Sequence, residues 1–218
     1  MHIVKTPLVV LLATASLLSA AANSTPPAPI TVLVDFEQPH ASVSLIAIRR
    51  ELETLLQPVG LKIALLDRGN LAPSQEFADL VIFKMKGSCV MEPLPFDALS
   101  DERGPLAMAY SSDGEVLHFG EVECDRIRQS LGRVIGASTS NYRQTLLGRA
   151  IGLVIGHEIY HMVANSAAHT KRGVTKESLT SRELLEADLN LPAFARKALQ
   201  QAMAGSRPAA TPGVNAFF

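Results

Sequence analysis

Apolar positions along the chain follow two different periods. Ile30 to Phe36 (ITVLVDF) is β-branched and apolar, as strands are, and LKIALL (61–66) and DLVIFKM (79–85) repeat that character. Between the first two runs, Leu45, Ile48, Leu52, Leu55 and Leu56 recur at steps of three and four. Arg49, Arg50, Glu51 and Glu53 fall largely on the other face, so Ser42 to Leu56 reads as an amphipathic helix. Pro58 and Gly60 stop it. A loop from Met91 to Gly104 follows, marked by Pro93, Pro95 and Pro105. Leu106 to Tyr110 and Val116 to Glu121 then flank Ser112-Asp113-Gly114, a hairpin turn signal. Glu123 to Ile135 fits a short helix, and Gly136 to Ser140 is a polar break.

The longest periodic segment runs from Tyr142 to Ala164 without a proline. Leu146, Leu147, Ala150, Ile151, Val154 and Ile155 give it a broad apolar face. Asn141 can cap it, with Gln144 placed for the second half of a capping box. Gly148, Gly152 and Gly156 each cost about 1 kcal/mol of helix propensity relative to Ala. Their four-residue spacing leaves a smooth strip on which another element can pack closely. Asn165 suits a left-handed C-terminal end. Further on, Thr180-x-x-Glu183 predicts a second capping box opening a short helix to about Ala187. Pro192 can start a last helix to about Met203. There are no internal repeats. The element order predicts one α+β (mixed α/β) domain over 30–203, a small mixed sheet with an N-terminal helix and one long later helix. The polar, Pro-rich leash 23–29 precedes it, and a Gly/Pro/Ala tail over 204–218 follows.

The start of the chain changes where this domain is expected to work. Lys5, the apolar run Pro7 to Leu18, and Ala20 and Ala22 before Asn23 form the three parts of a signal peptide over 1–22. The run is shorter than the roughly 20 apolar residues a membrane span needs. The expected product is therefore secreted or periplasmic and has no membrane partner after cleavage. In an oxidising destination, Cys89 and Cys124 are expected to form one structural disulfide. Charge adds only exclusions. The chain has 20 Lys+Arg and 21 Asp+Glu, with no basic stripe for nucleic acid and no polybasic cluster for a membrane surface.

The long helix carries His157-Glu158-Ile159-Tyr160-His161. Residues four apart share a helix face, so both imidazoles can ligate one Zn²⁺. Glu158 is turned about 100° round the helix from His157. That offset leaves it out of the ligand set but within reach of a water that the metal acidifies. Its carboxylate can take the proton of that water as it attacks a peptide carbonyl, and pass it to the leaving amine. A solvated helix with an incidental His pair is the plain alternative. The uncharged approach from Ala150 to Gly156 argues against it.

VIGHEIYHMV, Val154 to Val163, resembles the extended zincin signature of zinc metallopeptidases. The chain is also similar to small exported zincin-like proteins that combine a leader, a cysteine pair and a His downstream of HExxH. The resemblance implies a zincin-like fold, one catalytic zinc ion, a peptide or protein substrate, and the HExxH helix lying beneath an edge strand. His169, eight residues after His161, is a metzincin-like third ligand, although the usual six-residue spacing, its Gly and the Met-turn are missing. The gluzincin alternative takes a Glu from a downstream helix, Glu186, with Glu183 one turn before it. Tyr160 is turned away from Glu158 and is expected to pack, and His118 is expected on a strand surface. The function this implies is a secreted zinc-dependent peptidase with Glu158 as general base. A zincin-like zinc-binding or interaction protein without turnover is the second expectation, and a metal-free binding module the third.

Overall fold

The computed structural model describes residues 29–91, 104–135 and 138–205. The expected leader over 1–22, most of the leash, most of the Pro-marked loop, Gly136 and Ala137 of the polar break, and the tail from 206 lie outside the described residues. The elements are β1 (Ile30–Phe36), α1 (Ser42–Leu56), β2 (Ile63–Asp67), β3 (Leu80–Lys86), β4 (Ala107–Ser112), β5 (Glu115–Glu123), α2 (Cys124–Gly132), α3 (Ser140–Ala164) and α4 (Ala193–Gly205).

The five strands form one sheet in the order β2-β1-β3-β5-β4. β1 pairs parallel with both β2 and β3, and β3 pairs parallel with β5. A parallel neighbour requires a crossover rather than a tight turn, and α1 supplies it between β1 and β2. β4 runs antiparallel to β5 and is an edge of the sheet. The hairpin between them turns on Asp113 and Gly114, both left-handed at φ 53° and 84°. Two such central residues define the turn whose twist matches paired strands. The architecture is thus mixed α/β with a mostly parallel sheet. Val32, Val34, Val81, Phe83, Met85 and Val122 of the sheet share one core with the apolar faces of α1 and α3.

The strip of glycines on α3 lies against α1. A Cβ at Gly148 would stand 2.4 Å from the Ser44 carbonyl oxygen and 2.7 Å from the Ala47 Cβ. One at Gly156 would clash with the flexible end of Leu55, at 2.2 Å, and otherwise reach Leu52 Cδ2 at an ordinary 3.6 Å. Backbone cannot yield as a leucine tip can. Gly148→Ala should therefore lose roughly 1–3 kcal/mol to overpacking, outweighing the gain in helix propensity. Gly156→Ala should lose less, and urea unfolding of the two variants side by side checks the order.

The ends of α3 divide into one expectation met and one corrected. Asn165 is left-handed (φ 42°, ψ 54°), and the following N–H of Ser166 closes on the His161 carbonyl. The N-cap, however, is Thr139, whose Oγ1 accepts from the Tyr142 N–H, and not Asn141. Gln144 is buried instead of capping, its Oε1 accepting from the Met91 N–H and the Ser44 hydroxyl. Long-range partners outcompeted the local box. A related correction applies downstream. Thr180 and Glu183 do exchange reciprocal bonds, Thr180 N to the carboxylate and Glu183 N to Oγ1. Yet only a single 3₁₀ turn, Glu183–Leu185, follows. Arg149 takes the Glu186 carbonyl, a group that a continuing helix would bond internally.

Cys89 and Cys124 are disulfide-bonded, joining the segment after β3 to the first residue of α2, and both are buried. A buried disulfide is compatible with an extracellular or periplasmic setting. No described helix is long and apolar enough to cross a membrane.

Candidate metal centre

The last two turns of α3 place His157 and His161 on one face, as the four-residue spacing requires. Each ring has one nitrogen tied to a backbone carbonyl. His157 Nδ1 donates to Val174 O (2.8 Å) and His161 Nδ1 to Ser166 O. With Nδ1 as donor, the tautomer leaves Nε2 as a lone-pair nitrogen on each ring, the form a metal binds. The two Nε2 atoms face each other at 2.8 Å. Two lone pairs at that distance repel unless a proton or a cation sits between them.

His169 completes a triangle. Its ring centroid lies 5.3 Å from that of His157 and 4.8 Å from that of His161. One ligand atom from each of the three falls within 4.8 Å of the others, and among the described residues this is the one such group able to hold a metal ion. Three imidazole nitrogens at about 2.0–2.1 Å from a tetrahedral ion stand roughly 3.4 Å apart. The 2.8 Å separation and the 4.8 Å limit bracket that value. His157 and His161 are largely buried, whereas His169 is exposed, so the triangle opens to solvent on the His169 side. Burial lowers the His157 pKa to about 4, and that of His161 in the same direction. Burial thus favours the neutral form of both rings, the form in which an imidazole can bind a metal.

Glu158 is buried beside them, with Oε1 3.9 Å from His157 Nε2. Desolvation pushes its carboxyl up to about 7, opposed by a hydrogen bond from the Ala109 backbone N–H. Ala109 belongs to β4, so the edge strand and the helix meet at this carboxylate. The same hairpin is pinned to the end of α3 by a second bond, from the Val116 N–H to Asn165 Oδ1 (2.8 Å).

The two other candidates for a third ligand lie elsewhere. Glu183 is engaged by Lys176 Nζ at 2.7 Å and by Thr180, and these bonds hold its carboxyl down to about 2. Glu186 is exposed and contributes a carbonyl to Arg149. Tyr160 is fully buried in the core. His118 is exposed on β5, which is an inner strand and not the edge.

No protein-family model matches the chain, and no curated protein matches it either.

Four groups of the centre escaped the sequence reading: the carbonyls of Val174 and Ser166, the Ala109 N–H, and the Asn165 side chain in its role toward β4–β5. Three are backbone atoms, which carry no residue signature. The fourth was visible only as a helix terminator.

Proposed function

We propose that this protein is an exported zinc-dependent peptidase of zincin type, with His157, His161 and His169 as ligands and Glu158 as general base. The observation that carries the reading is the three-histidine triangle, open on one side, with a buried carboxylate at its margin. The donor set suits zinc: three imidazoles, two of them oriented by carbonyls, and a solvent-facing side for a fourth position. Zinc held there would supply a Lewis acid that brings the pKa of water toward neutrality and polarises a carbonyl.

The chain's own groups supply the rest. Glu158, poised near neutral pH, takes the proton of the attacking water and delivers it to the departing amine nitrogen. The Ala109 N–H keeps that carboxylate at the edge strand, where a substrate backbone would lie. Among the described residues β4 has a single neighbour in the sheet, which leaves its outer edge able to pair with an extended peptide. A buried acid beside a metal triad has little purpose in a purely structural centre. Turnover is therefore favoured over simple zinc binding. The disulfide and the leader-like first 22 residues support export.

The test is elemental analysis of the purified protein in parallel with His169→Ala. The expected result is one zinc per wild-type chain and a large loss in the variant. A wild type that stays empty when zinc is supplied would overturn the proposal. Full zinc retention in His169→Ala would remove His169 from the ligand set.

A further inference from the structure

His157 and His161 are each fixed by a carbonyl, but among the described residues no hydrogen bond reaches the ring of His169. Its position must therefore come from its backbone, on an exposed loop. What holds that loop is a closed turn over Thr170 to Thr175. The Thr170 N–H donates to Thr175 O at 2.9 Å, and the two side-chain hydroxyls are 2.8 Å apart. Thr170 Oγ1 also donates to Arg172 O at 2.8 Å. A hydroxyl has one proton, so Thr175 must be the donor and Thr170 the acceptor within the pair. Thr175 is fully buried although its loop runs over the surface. The turn is anchored further by the Val174 N–H on Asn190 O, at 3.0 Å.

The two ends of this clasp are adjacent to two different ligands. Thr170 follows His169 directly. Thr175 follows Val174, whose carbonyl orients His157. We infer that Thr175, through its hydroxyl bond to Thr170, is a positioning residue for the metal centre, tying the backbone that places His169 to the carbonyl that aims His157. This rests on the three-histidine metal reading above. The physical reason is preorganisation. Groups behind a ligand fix its orientation, and losing one typically costs 10–100-fold in metal affinity. In a free loop, His169 would be recruited against the entropy of ordering it.

The experiment is a zinc titration against a competing chelator, for wild type, Thr175→Val, Thr175→Ser, Thr170→Val and the Thr170→Val/Thr175→Val double variant. Thermal melting of each metal-free protein and the visible absorption of its cobalt(II) form accompany the titration. Thr175→Val keeps the shape and loses the proton, and Thr170 Oγ1 still has Arg172 O. The expected results are a 10–100-fold weaker zinc Kd for Thr175→Val with near-wild-type metal-free melting, rescue by Thr175→Ser, and an altered cobalt spectrum. The double variant should be no weaker than Thr170→Val alone, because that single variant has already lost the bond between the two hydroxyls. If Thr175→Val does not fold, Thr170→Val breaks the same bond from the half-exposed side, together with the bond to Arg172 O, and should weaken zinc at least as much. Zinc binding within threefold of wild type in the folded variant, or no rescue by Ser, would overturn the clasp while leaving the metal site standing. A wild type that binds no zinc would overturn both.

Discussion

Glu158→Gln should leave zinc bound and reduce peptide hydrolysis by roughly 10²–10⁴-fold, the usual contribution of a positioned general base. Glutamine keeps the shape, and its amide oxygen can still accept from the Ala109 N–H; only proton transfer is lost. The burial that lifts the Glu158 carboxyl to about 7 also gives the sign of a control. A carboxyl with a raised folded pKa makes the folded state lose stability as pH climbs from the unfolded value toward 7, because charge must then be held in a dry site. The neutral amide removes that penalty. Metal-free Glu158→Gln should accordingly melt no lower than wild type at pH 8. Turnover is read on a mixed pool of quenched fluorescent peptides, with zinc content measured on the same samples. An active Gln variant would remove Glu158 from the chemistry, whereas an inactive variant lacking zinc would show damage to the site instead.

The second large effect is on stability. Replacing Cys89 and Cys124 together with Ala should cost about 3–4 kcal/mol, as expected for opening a loop with a sequence separation of 35. Both sulfurs are buried at the junction of β3 and α2, so their loss also thins the packing there. Urea unfolding of wild type, with and without reductant, against the double variant checks this. Unchanged midpoints would mean that the junction is held by its packing alone.

Much of the frame was legible because it depends on local periodicity. The three-and-four spacing of Leu45, Ile48, Leu52 and Leu55 announced one helix, and the glycine strip on α3 announced close packing by another element, which proves to be α1. Asn165, the cysteine pair and the Thr180–Glu183 exchange were readable for the same reason: each needs only its own chemistry and a short span of chain, or an even count. What failed was competition over distance. Gln144 had a local use as a cap and took a remote one with Met91 and Ser44. The helix expected after Thr180 lost a carbonyl to Arg149, a residue on another element. Beyond the β4–β5 hairpin, which its turn residues announced, strand order was not legible, since nothing in the run over β4 marks it as the edge.

The candidate site divides in the same way. His157, Glu158 and His161 are set by helical geometry, so their juxtaposition could be stated in advance. His169 could be named only by analogy, because its approach depends on the path of the 166–176 loop. That path is set by backbone bonds such as Thr170 N to Thr175 O, which sequence does not display. The choice between His169 and Glu186 was therefore a question about a loop and not about ligand chemistry.

The bond from the Val116 N–H to Asn165 Oδ1 has a consequence for affinity. Asn165 terminates the helix that carries His157 and His161, and Val116 lies beside the turn of the hairpin, so neither can shift without loosening the other. On the proposed function, a peptide arriving at the β4 edge would meet a rim whose spacing from the three histidines was fixed when the domain folded. Little ordering of the receptor would then be charged against binding, and discrimination among peptides would fall to their side chains.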